Sequence, residues 1–181
     1  MLSTEKVTIE TIISGLCMDV KGKPVGISQL GRSREPLWKA WGILNQWALE
    51  KLQHREAIDV PSFARVGWQR FRKLSGEMRI RPVFVLNHSF CRTHGLPFKR
   101  LLVQPTFTRP VEVINFTKLA IRYSQNLTKD MVYGALREIF RGIGDAISKG
   151  LHVGICFSFG VLEVHEGKVH FSFDPVSLAK D

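Results

Sequence analysis

Two stretches decide how this chain is read: SFARVGW at 62–68 and SFGVLEV at 158–164. Each follows a long segment with apolar residues at helical spacing. Each places Ser-Phe-small at the head of an alternating segment. From Leu52 to Phe63 is eleven residues, and from Ile147 to Phe159 is twelve. A long amphipathic helix is therefore expected to deliver the chain, twice, into a strand that bends at Ser-Phe-small. The phenylalanine would plug the helix pair, and Ala64 or Gly160 would let the backbone turn over it. The expectation is a tandem duplication of one α+β unit.

The second copy reads most cleanly. Asn115 is a favourable N-cap for a helix through Leu119, Ala120 and Tyr123. Thr128 can cap the next helix, with Asp130 near the positive end of its dipole. From Met131 to Ile147 apolar residues recur at spacings of three and four, which predicts one broad buried stripe. Gly142 and Gly144 suit a close crossing with a neighbour, and Gly150 supplies a left-handed stop. The period then changes to two through Val153, Ile155 and Phe157, continuing after Gly160. HEGK at 165–168 reads as a tight turn with Gly167 at positive φ. Val169, Phe171 and Phe173 form the returning strand.

The first copy uses the same grammar with more noise. Residues 4–17 read as a helix through Val7, Ile12, Ile13 and Leu16, or as a strand by their alternation; the helix is favoured. Ser33 is the expected cap of a helix whose first turn holds Glu35 and Pro36. Its stripe runs through Leu37, Trp38, Trp41, Leu44, Trp47, Ala48 and Leu52. The segment from Ala57 to Phe71 alternates, with a bulge expected at Pro61-Ser62. Residues 77–90 return after the KLSGE turn. Gly95, Pro97, Pro105 and Pro110 crowd the connection, so the predicted units are residues 1–97 and 98–181.

The charge is lopsided. Residues 1–100 carry 17 Lys and Arg against 8 Asp and Glu, whereas residues 101–181 carry 9 against 8. Nearly all of the net +10 thus belongs to the first half. It is densest between Trp68 and Pro82, where Arg70, Arg72, Lys73, Arg79 and Arg81 face only Glu77. Such a field favours a polyanion: nucleic acid, an acidic protein surface such as tubulin, or an anionic membrane. A solvated face kept charged for solubility is the plain alternative. With Arg65, Arg92, Lys99 and Arg100, these residues form the expected contact surface for an acidic partner.

Other chemistry is sparse. Three cysteines, Cys17, Cys91 and Cys156, are scattered and odd in number, which fits a reducing compartment. The N-terminus lacks the pattern of a secretory signal, and no apolar run is long enough to span a bilayer. His88, Cys91 and His94 lie at spacings of three, but ordinary loop residues are favoured over a metal site there. Cys156 is expected to be a small core hydrophobe. The tryptophans Trp38, Trp41, Trp47 and Trp68 are expected in the core rather than on a base-stacking platform. No phosphate loop, nucleophile elbow or dinucleotide fingerprint is present. No enzyme, cofactor or metal is expected.

The order helix, helix, strand, Phe-Gly bend, hairpin is similar to the histone-like HU/IHF family. More closely, the chain resembles the paired eukaryotic HU-like domains of the coiled-coil domain-containing protein 81 family. The residues that carry this are LWKAWGILNQWALEKL, AIDVPSFARVGW and RPVFVLNHSFCRTHGL in the first half. In the second they are VINFTKLA, the run from Leu127 to Val164, and GKVHFSF. The resemblance implies a non-enzymatic structural protein of centrosomes, cilia and flagella. Its partners would be tubulin and other proteins of axonemal doublet microtubules, outside or inside the tubule, in the cytoplasm and cytoskeleton. Bacterial HU proteins bend DNA with two long basic β-arms, each tipped by a proline wedge. Here neither expected hairpin tip carries a proline, and the second hairpin is short and has no arginine. A nucleic-acid-binding HU-like protein without bending arms is the alternative. The coiled-coil extension usual in that family is not expected, since the sequence stops at Asp181. Two such units could sit as tandem beads or pair within the chain.

Overall fold

Apolar residues at spacings of three and four bury one side of two long helices, α2 (Glu35–Gln53) and α5 (Lys129–Ser148). Their stripes match position by position. Leu37, Ala40, Leu44, Ala48 and Leu52 are buried, and so, 95 residues later, are Val132, Ala135, Ile139, Ile143 and Ile147. The computed structural model describes residues 5–16, 34–97 and 106–179. It places α2 and α5 against each other, with a sheet following each. The first sheet holds β1 (Ala57–Val60), β2 (Ala64–Arg72), β3 (Met78–Leu86) and β4 (Val111–Val113), in the order β3-β2-β1-β4. The second holds β5 (Val153–Phe157), β6 (Gly160–His165) and β7 (Lys168–Phe173), in sequence order. Short helices complete the molecule: α1 (Ile9–Leu16), α3 (His88–Thr93), α4 (Phe116–Tyr123) and α6 (Pro175–Leu178). The class is α+β.

Each half runs through the same order: short extended segment, helix, long helix, three antiparallel strands, short helix. The Ser-Phe-small element is a tight hairpin turn, which corrects the expectation of one strand with a bulge. In the first half Val60 pairs with Ala64 across Pro61, Ser62 and Phe63; in the second Phe157 pairs with Gly160 across Ser158 and Phe159. Ser62 takes a φ of 64° to make the longer turn. Both bend phenylalanines are buried, and both carbonyls are claimed by the residue that caps the following short helix. The Asn87 N–H donates to Phe63 O at 2.8 Å, and the Asp174 N–H to Phe159 O at 2.9 Å. Gly160 is obligatory, because a Cβ there would lie 2.4 Å from the Ser172 carbonyl oxygen.

The halves are an interlocked pair rather than beads. One hydrophobic cluster includes buried residues from α1 through α6. Phe84 of β3 stacks on Phe171 of β7, ring centroids 4.2 Å apart and planes within 9°. Phe63 stacks on Phe140 of α5, also at 4.2 Å. The opening segments are exchanged as well. β4 pairs in parallel with β1, and Val7 bridges Val153 of β5 in parallel. Lys51 of α2 holds the first exchange, bonding Glu112 at 2.7 Å and Glu56 at 2.9 Å. Glu50 ties α2 to α4 by accepting from the Tyr123 hydroxyl and the Arg122 guanidinium, each at 2.5 Å. The predicted boundary between residues 97 and 98 adjoins residues outside those described.

Several local expectations can be placed. Asn115 and Thr128 accept from the Lys118 and Met131 N–H groups as caps, at 3.0 and 3.3 Å. Ser33 lies outside the described residues; α2 starts at Glu35, after Arg34, with no side-chain cap. The N-terminal segment is helical over α1 and extended only at Val7. Gly142 admits the Ile12 methyl of α1, and Gly144 lies under the His94 ring. Trp41, Trp47 and Trp68 are buried, while Trp38 is exposed. Cys156 is exposed rather than core, because the alternation that points Ile155 inward turns its neighbour outward.

A shared core predicts shared unfolding. Phe159→Ala removes a buried ring and should cost about 3–5 kcal/mol in urea denaturation. All the tryptophans lie in the first half, so their fluorescence should report that loss in full; a Trp transition left in place would refute the shared core. The Glu50–Tyr123 tie predicts a pH dependence. Burial, and then the Glu50 carboxylate, raise the Tyr123 phenol from 10.0 to about 12. The contribution is intact below pH 10 and lost as pH rises toward 12. Tyr123→Phe should therefore remove that part of the alkaline slope of stability. On the acid side, the Tyr123 hydrogen bond holds the Glu50 carboxyl below its usual value against the effect of burial. That stability is lost as pH falls through the lowered value.

Candidate functional site

The β2–β3 hairpin is longer than its counterpart, with nine residues in each strand against six in β6 and β7. Its base is anchored. Trp68 is buried against the end of α2, donating from Nε1 to the Leu52 carbonyl at 2.9 Å, and the Arg55 guanidinium covers the indole at 3.7 Å. Gly67 admits the Phe107 ring, which a Cβ would meet at 2.6 Å. From Arg70 to Ile80 the ribbon leaves the core, and nearly every residue is exposed. The tip is a turn in which Gly76 has a φ of 87° and Leu74 is fully exposed.

The register sorts the charges onto two faces, because directly paired residues share a face. Arg70 pairs with Ile80 and Arg72 with Met78 on one side; Gln69 pairs with Arg81 and Phe71 with Arg79 on the other. On the second face the cations are engaged. Arg79 bonds Glu77 at 2.8 Å, and Arg81 lies over the Phe71 ring at 5.1 Å. Lys73, at the start of the turn, reaches Glu77 at 3.6 Å. Arg70 and Arg72 have no partner among the described residues. They stand with exposed Ile80 and Met78, so this face offers free cations beside apolar surface.

The remaining expected contacts fare differently. Arg65 is committed to structure: its Nε donates to Asp59 Oδ2 at 3.0 Å, and Asp59 is 8% exposed with Oδ1 unpartnered. Arg92 is exposed on α3. Lys99 and Arg100 lie outside the described residues. Of the spacing His88, Cys91, His94, the first two lie on α3 rather than on a loop, and His94 is the residue that ends the helix. Cys91 is buried, and burial raises its thiol pKa. Burial lowers the His94 pKa, with nearby Asp145 opposing the shift. No cluster of three metal-ligating side chains occurs among the described residues, and no described helix is long and apolar enough to cross a membrane.

The two-faced ribbon was readable only with the register. The KLSGE turn would give it, by pairing Arg72 with Met78. The Asp59–Arg65 pair and the arginines Arg137 and Arg141 of α5 carried no sequence signal, since each looks like ordinary surface charge.

Comparison with known families bears on the second half. Residues 110–180 match the family model described as CCDC81 eukaryotic HU domain 2. The second half is an HU-like domain. The match begins at the exchanged strand β4 and runs through α6, so it covers one whole copy of the element order. The first half repeats that order around the same core. No curated protein matches the chain. Among the described residues the long basic ribbon belongs to the first half; the second hairpin closes at Glu166 and Gly167 with φ values of 49° and 73°.

Separate roles for the arginines predict separate phenotypes. Arg65→Ala leaves the nearly buried Asp59 carboxylate without its partner and should cost about 1–3 kcal/mol in urea denaturation. Arg70→Ala and Arg72→Ala should each stay within about 0.5 kcal/mol of the parent. Equal losses at all three positions would contradict the division.

Proposed function

We propose that this is a non-enzymatic structural protein that docks on an acidic protein surface through the β2–β3 ribbon. The observation that carries the reading is the Arg70–Arg72 face, which sets two cations, without a partner among the described residues, beside Ile80 and Met78. Cations supply the approach and orientation to an acidic surface, while apolar contact contributes most of the holding energy. The anchored base and interlocked core make the ribbon a fixed projection, which suits a building block. The resemblance to the coiled-coil domain-containing protein 81 family points to axonemal doublet microtubules, with tubulin as the acidic surface, in the cilium or flagellum. The absence of an acid–base pair, nucleophile motif or phosphate loop from the sequence supports a non-catalytic role.

One observation favours a second reading. Leu74 is a fully exposed apolar tip flanked by Arg72 and Lys73, and apolar wedges of this kind unstack base pairs in architectural DNA-binding proteins. Two binding experiments separate the readings. In co-sedimentation with polymerised tubulin, the protein should pellet with the lattice. Arg70→Ser with Arg72→Ser should release it, and so should removal of the acidic tubulin tails. Duplex DNA at physiological salt should bind only in the non-specific range, weaker than about 1 μM. Tighter DNA binding that is lost with Leu74→Ser would replace the tubulin reading with the nucleic-acid one.

A further inference from the structure

The two bends differ in what lies over them. Over the second, Asn45 of α2 accepts from the Ser158 N–H through Oδ1 at 2.8 Å, and its carbonyl accepts from the Ser158 hydroxyl at 2.9 Å. Trp41, one turn earlier, packs on Phe157 with centroids 5.0 Å apart. An aromatic and an amide on one helix face thus cover that bend.

The counterparts of Trp41 and Asn45 in α5, 95 residues later, are Leu136 and Phe140. Leucine is much smaller than indole, and Phe140 is engaged in its stack on Phe63. Among the described residues nothing bonds the Ser62 N–H or hydroxyl. What remains beside the first bend is a cavity of about 470 Å³, bounded by the 60–62 turn, α3, Phe116 of α4 and the outer face of α5. That size falls within the range of natural ligand sites. Phe90, Phe116 and Tyr133 contribute apolar wall. Arg137 and Arg141 stand one helical turn apart on its edge, exposed and without an ion-pair partner among the described residues. Among the described residues Asp145 is the one carboxylate in the lining, so there the two arginines outnumber it.

We propose that this cavity docks an acidic segment of a partner protein. An Asp or Glu carboxylate of that segment takes the Arg137 and Arg141 guanidiniums and the Ser62 donors, while a neighbouring apolar side chain fills the space. The occupant's chemistry follows from the twin site. There the serine N–H is met by a side-chain amide oxygen, its hydroxyl by a backbone carbonyl, and the space by an aromatic ring, all supplied by this chain. Here the same donors have no partner among the described residues, and guanidiniums, the preferred partners of carboxylates, line the cavity with them. The site is separate from the ribbon and does not depend on the function proposed for it.

The test pans a random dodecapeptide library against the immobilised full chain, with counter-selection on Arg137→Glu/Arg141→Glu. Both positions are exposed, so the variant keeps its fold. Enriched peptides should carry Asp or Glu next to an aromatic or aliphatic residue. Bound to the labelled protein, such a peptide should move the amide resonances of Ser62, Thr93 and Arg141. Replacing its acid by the amide should weaken binding about tenfold, whereas Arg70→Ser/Arg72→Ser should leave it unchanged. Leu136→Trp, which restores the bulk found in the twin, should close the site; if that buried substitution prevents folding, the charge reversal decides alone. No peptide dependent on the two arginines, equal affinity for acid and amide, or resonance shifts confined to residues 70–80 would each overturn the proposal.

Discussion

The aromatic seam between the halves is the constraint on which the rest depends. Phe84 and Phe171 occupy corresponding places in the returning strands of the two sheets, and they stack on each other. A residue meeting its own counterpart is the mark of a two-fold relation, here enclosed in one chain. Phe63 extends the seam to Phe140, and Phe90 meets Phe63 edge-on at 5.3 Å. Because these rings belong to strands and helices of both copies, neither sheet has a complete inner face alone. The paired arrangement therefore follows from burial: each half exposes an apolar surface that the other half covers.

Much of this was legible because it depends on local pattern. The helical stripes, the caps Asn115 and Thr128, the Gly150 stop and the HEGK turn are each fixed by neighbouring residues, and they fall where expected. The duplication was visible in the repeated Ser-Phe-small element. The long-range facts were not visible. Parallel pairing of Val111–Val113 with β1 joins residues far apart in sequence, and a three-residue strand has too little periodicity to announce itself. The bend read as a bulge because alternation continues on both sides of it; only the pairing of Val60 with Ala64 makes it a hairpin. Cys156 was misplaced for a simpler reason: an apolar setting in sequence does not say which side of a strand a residue takes.

The site was legible in composition but not in geometry. The density of Arg and Lys between 68 and 82 marked the ribbon, yet composition treats all of them alike. The structure divides them into Arg70 and Arg72, which are free, and Arg79, Arg81 and Lys73, which are engaged within the ribbon. Arg65 is engaged at its base. The duplicated halves have diverged at the surface while keeping the core. One hairpin grew long and basic, the other stayed short, and one bend is sealed by Asn45 while the other stands beside an open cavity.

The exchanged opening segments bear on how the chain can be made. Val7 finds its pairing partner only at Val153, far along the polypeptide. During vectorial synthesis the segment at Val7 must wait, unpaired, until β5 and everything between them have left the ribosome. The helix α1, which packs on α5, then settles only after α5 has been made, although it precedes α5 in synthesis. Until β5 emerges, that segment stays open to chaperones or to a second copy.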